Sequence, residues 1–136
     1  MIEITGFQSL LQAAHEQAQP QRLLFVFVKT ALPEDASEAE TKRYHEGRGG
    51  GLVPVMVVDK APAEIADFET LAEEAREMGE DWHMMLVGAL AGRGGRKPAQ
   101  SDVDEALNSI VQAIHAGGDL SHLLAFDRAG DPLRFD

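Results

Sequence analysis

Residues Arg22–Lys29 read RLLFVFVK, six consecutive apolar side chains between two cations. Two valines and two phenylalanines favour a strand over a helix. The run does not alternate, so neither of its faces is polar, and it predicts a central strand buried on both sides. Two further apolar runs share this character: Leu52–Val58, LVPVMVV, and His83–Leu90, HMMLVGAL. Pro54 cannot donate a ladder hydrogen bond, which places the second run at a sheet edge or a bulge.

Working outward, helical periodicity fills the gaps. Upstream, Thr5 with Gln8 makes a capping-box pattern, Phe7, Leu10, Leu11, Ala14 and Ala18 form one apolar stripe, and Pro20 ends it. Between the first two runs, Pro33, Glu34 and Asp35 suggest a turn. Glu38–Glu46 reads as a short solvated helix, and Gly47–Gly51 as a flexible connection. Pro62 suits the first turn of a helix whose stripe is Ile65, Phe68, Leu71, Ala72, Ala75 and Met78, with Gly79 at its C′ position. Its other face is acidic: Glu64, Asp67, Glu69, Glu73, Glu74 and Glu77. After the third run, Ser101 reads as the N-cap of a helix with the stripe Val103, Leu107, Ile110, Val111 and Ile114, closed by Gly117 and Gly118. The chain ends in HLLAFDRAGDPLRF, a hairpin turning at Asp127–Gly130.

The order is α-β-(α)-β-α-β-α followed by a C-terminal β-hairpin. Alternating apolar strands and amphipathic helices predict one α/β domain over residues 1–136, with a mixed, largely parallel sheet flanked by helices. In such sheets ligands bind beyond the carboxyl ends of the strands. Three loops qualify: those after Lys29, around Asp59 and Lys60, and after Leu90.

The formal charge of −11 argues against nucleic acid and anionic membrane surfaces as partners. The apolar runs are too short for a membrane span and the N-terminus lacks a basic-then-apolar leader, which together predict a cytoplasmic protein. The chain has no cysteine, which excludes thiolate metal sites, redox dithiols and cysteine nucleophiles.

Against this acidic background the loop after the third strand, GRGGRK at Gly92–Lys97, is basic. Glycines let backbone N–H groups converge, and Arg supplies forked donors, so Arg93, Gly94, Gly95, Arg96 and Lys97 are the candidate anion- or ligand-binding residues. They match no nucleotide signature: Lys97 is followed by Pro98 where a P-loop needs Ser or Thr, and it stands where a dinucleotide fingerprint needs glycine. Asp102 and Asp104 in the next helical turn oppose a phosphate. The five histidines, His15, His45, His83, His115 and His122, lack local metal-ligand spacing. Asp59, Asp127 and Asp131 suit turns, Tyr44–His45 sits in the irregular region, and Trp82 reads as a core or rim aromatic. No catalytic residue, metal or cofactor is expected.

The layout resembles a group of small proteobacterial proteins labelled "ribonucleotide reductase subunit alpha". The shared features are RLLFVFV at Arg22–Val28, the glycine-rich approach to PVMVVDK, Phe68, Trp82, GRGGR at Gly92–Arg96 and the closing FDRAGDP. The resemblance carries over no catalytic residue, because the reductase chemistry named in the label runs on cysteines. The expectation is a non-enzymatic binding or accessory module with a protein partner or a second copy of itself. The alternative is a small-molecule or anion-binding protein, or an enzyme, using residues 92–97.

Overall fold

The run Arg22–Val28 lies in an interior strand, next to one edge, of a five-stranded sheet in the computed structural model, which describes residues 6–31, 37–45, 51–79, 81–116, 118, 120 and 122–133. In chain order the elements are α1 (Phe7–His15), β1 (Gln21–Ala31), α2 (Glu38–His45) and β2 (Gly51–Lys60). A 3-10 turn (Pro62–Glu64), α3 (Phe68–Glu77), β3 (Met84–Ala91), α4 (Gln100–Ala116), β4 (Leu124–Asp127) and β5 (Pro132–Leu133) follow.

The strand order is β2-β1-β3-β4-β5, and every pair of neighbours is antiparallel. The expectation of a largely parallel sheet is therefore overturned. Its physical basis, burial on both faces, is nonetheless present. Leu23, Phe25 and Phe27 pack with Met85, Val87 and Phe126 in a cluster that includes α1 and α3 side chains. Leu24, Val26 and Val28 pack on the other face with Leu86 and with Val103, Leu107 and Ile110 of α4. Helices above and below produce an unbroken apolar strand whatever the direction of its neighbours. The crossover β2-α3-β3 does join two strands of the same direction, but β1 is inserted between them, as in a split β-α-β unit.

Backbone phase follows from two hydrogen bonds. Gly92 N–H donates to Pro20 O and His83 N–H to Val28 O, both at 2.8 Å. Even-numbered residues of β1 thus turn their backbone groups towards β3, and odd-numbered ones towards β2. The β1–β2 register slips between Phe27 and Val28, where Phe27 faces Met56 and Val28 faces Pro54, leaving Val55 as the extra residue. Pro54 lies on an edge strand at this bulge with its nitrogen turned outward, so no ladder bond is lost.

The caps are local. Gly6 N–H donates to Ser9 Oγ at 3.0 Å and Ser9 Oγ donates to Gly6 O at 2.9 Å, so the pair starting α1 is Gly6–Ser9. Thr5, Pro33–Asp35, the stretch 46–50 and Gly117 lie outside the described residues, as do the side chains of Tyr44 and His45. The stripe read from Ile65 to Met78 is two elements: Asp67 caps α3 by accepting from Thr70 N–H at 2.7 Å, and Met78 is 59% exposed. Gly79 takes φ 85° at the helix end as expected. Ser101 is not a cap, because α4 starts at Gln100 and the Ala99 carbonyl accepts from Asp102 and Val103.

Candidate functional site

Antiparallel pairing redistributes the three loops. The ends of β2 and β3 share one end of the sheet with the start of β1, while Lys29 lies at the other. Lys29 therefore cannot join the basic loop. Asp59 is at the right end, but Arg22 holds it, with Nε to Oδ2 at 2.7 Å. The same guanidinium reaches Glu64 Oε1 at 3.0 Å. Ala61 N–H donates to that Glu64 oxygen and, ahead of Arg22, holds its carboxyl below the ordinary range.

The loop Gly92–Lys97 is a closed turn and not an open cradle. Arg93 and Arg96 exchange backbone hydrogen bonds of 3.1 and 3.0 Å. Gly94 and Gly95 between them have φ 58° and 78°, the combination that a two-residue type I′ turn requires. Gly95 N–H donates to Gln19 Oε1 at 2.8 Å, tying the turn to the α1–β1 connection. A Cβ on Gly92 would collide with the Arg96 carbonyl. The glycines thus serve the turn, and three N–H groups that an anion cradle would need, those of Arg93, Gly95 and Arg96, are already donated.

What remains for a ligand is the side-chain charge. Arg93, Arg96 and Lys97 are exposed, and among the described residues none has a carboxylate within ion-pair distance. They stand at the mouth of an open groove of about 640 Å³ between the end of β3 and the first turns of α4, whose other wall carries Asp102 and Glu105. A second, more apolar groove of about 380 Å³ adjoins it. The two share Ala106 and Ser109, and the second adds Leu24, Gly88, Ile110 and Leu123.

This apolar extension was missed in sequence, yet one signal pointed to it. Gly88 sits inside the apolar strand, and interior strand glycines mark close approach. A Cβ there would stand 3.1 Å from Leu123 Cδ2.

Other candidates have structural work. His83 Nδ1 accepts from Thr30 N–H at 3.0 Å. Trp82 is buried edge-on against Phe27, with centroids 5.1 Å apart. Asp127 Oδ1 accepts from Ala129 N–H and Asp131 N–H, shaping the hairpin turn. His15, His115 and His122 are exposed. On the acidic face of α3, Glu74 pairs with Lys60 at 3.2 Å and Glu73 with Arg76 at 2.6 Å. The groove of about 390 Å³ beside Trp82 holds Arg76 and Arg128, whose partners are Glu73 and Asp81. Among the described residues no group of three His, Asp or Glu could hold a metal ion, and no helix is long and apolar enough to cross a membrane.

No protein-family model, curated protein or solved structure matches the chain.

Proposed function

We propose that the chain is a binding module that holds an anionic part of a partner molecule at Arg93, Arg96 and Lys97. The observation carrying this reading is their placement: three cations with no carboxylate partner among the described residues, on a hydrogen-bonded turn, at the mouth of a groove, in a protein of formal charge −11. The cations attract, the turn orders them in advance, and the surrounding acidity repels anions elsewhere. Reductase chemistry is no part of the proposal, since the chain has no cysteine. Poly-L-glutamate is a suitable probe. It should bind at low salt, weaken as salt rises, and fail to bind R93A/R96A/K97A. Equal binding by that variant, or no binding to the wild type at low salt, would refute the site.

Self-association is a second reading, favoured by the β2 edge. Gly51–Val58 contains no charged residue, and Val57 is 45% exposed on it. Uncharged edge strands template pairing with another strand. Sedimentation should show a concentration-dependent dimer that Val57→Lys abolishes; a monomer at all concentrations removes this reading.

A further inference from the structure

We infer that the groove takes an extended acidic peptide, which adds as a strand to the free half of the β3 edge. The inference rests on the anionic reading above and names the class of partner. β3 runs over Met84–Ala91, but β4 pairs only with Met84–Val87. Among the described residues, Gly88–Ala91 therefore has β1 on one side and no strand on the other.

The phase of the ladder settles which groups are free. Gly92 N–H points at Pro20, so alternate residues of β3 counted back from Gly92, Leu90 and Gly88, also face β1. Ala89 and Ala91 face outward. Both are exposed, and among the described residues neither has an outward hydrogen-bond partner. Two N–H groups and two carbonyls are thus presented at strand spacing beside a groove, the arrangement by which sheet edges capture peptides.

The groove specifies the peptide's chemistry. Its inner part is apolar and walled by Ala106 and Ile110, which suits small or β-branched side chains. At the Gly92 end the peptide meets Arg93, Arg96 and Lys97, so its carboxylates belong there. Asp102 and Glu105 on the α4 wall repel carboxylates placed deeper, which fixes the acidic residues at the end beyond Ala91. A small anion would use the cations and leave the edge unused.

The test uses the full chain and acetylated, amidated octapeptide libraries of Val, Thr and Ala positions with an Asp pair at one end or the other, read by fluorescence anisotropy. The best binder should lose affinity by roughly tenfold or more when its Asp residues become Asn, about the worth of one charge-assisted hydrogen bond. N-methylation at one alternate set of its amides should abolish binding, while methylation at the other set should leave it unchanged. Ala89→Pro should melt like the wild type, since its N–H has no internal partner among the described residues, yet lose the peptide. No binder in either library, or equal sensitivity to both methylation sets, overturns strand addition. If such peptides fail while poly-L-glutamate still binds through Arg93, Arg96 and Lys97, the anionic reading stands and this inference falls. A binder that shows the alternation but ignores R93E/R96E/K97E sinks the anionic reading and the acidic peptide with it.

Discussion

Gly92→Ala is the sharpest perturbation of the basic turn. An added Cβ would overlap the Arg96 carbonyl oxygen and lie 2.8 Å from the Arg96 carbonyl carbon and 3.1 Å from Lys97 Cα. These are backbone atoms and cannot swing aside as a side chain can, so the turn must open. Opening surrenders the Arg93–Arg96 pair of hydrogen bonds and strains the bonds from Gly92 to Pro20 and Gly95 to Gln19. Each exposed bond contributes near the low end of the usual 0.5–1.5 kcal/mol, so the loss is about 2 kcal/mol. At roughly 2.1 cal/mol/K of unfolding entropy per residue, a 136-residue chain should melt about 7 °C lower. Gly94→Asn is the control: Gly94 has φ 58°, nothing lies within 4 Å of a Cβ there, and Asn tolerates left-handed backbone. Thermal unfolding followed by circular dichroism should place the Asn variant within about 2 °C of wild type, given the small left-handed cost for Asn. If Gly92→Ala melts with the wild type, or both variants fall equally, the glycines are not there for the reason given.

Three other outcomes test the sheet, the core and a cap. Gln21 and Ala91 are partners in a non-hydrogen-bonded antiparallel pair, so Gln21→Cys with Ala91→Cys should close a disulfide on mild oxidation and add roughly 2–4 kcal/mol of stability; recovery of two free thiols under non-reducing mass analysis would contradict the register. Phe27→Ala empties a site with no solvent exposure against Trp82; it should cost about 3–5 kcal/mol by denaturant unfolding, and an unchanged emission maximum of the single tryptophan would deny that contact. Hydrogen bonds from Thr70, its side chain first and its backbone N–H next, hold the Asp67 carboxyl below its ordinary value. A depressed folded pKa stabilises above the unfolded value of about 4 and stops doing so as pH falls through the folded one. Asp67→Ala should therefore be less stable than wild type at neutral pH, with the gap narrowing on acidification; a gap independent of pH refutes the cap.

Burial was legible in the sequence and strand direction was not. Side chains of Leu23–Val28 record only that both faces are covered, and helices cover both faces of this antiparallel sheet as fully as they would a parallel one. Direction was settled by where β1 sits between β2 and β3, which depends on tertiary pairing that no periodicity in the chain encodes. Pro54 and Gly79 were readable because each has one local reason, a missing donor and a positive φ. The basic loop is legible by composition, whereas its two adjacent glycines take the positive φ that a two-residue type I′ turn needs. Ser101 looks like a cap because Ser favours that position, yet the chain enters α4 two residues earlier, through Ala99.

The antiparallel sheet also changes what kind of site the basic loop can make. In a parallel sheet the loops after Lys29, Lys60 and Leu90 would have crowned one edge and offered a shared cleft of mixed charge. Here Lys29 is at the far end and Asp59 is paired with Arg22, so the loop's neighbours are α4 and the end of β3. Cations beside an open strand can have a simpler use, since charge next to an edge discourages random pairing. That defence needs no groove, no apolar floor and no rigid turn. It would also be better placed on Ala89 or Ala91, whose backbone is the exposed part, than beyond them on residues 93–97. Leaving the exposed backbone flanked by alanine and gathering the charge at one end favours a strand of defined polarity over no strand at all.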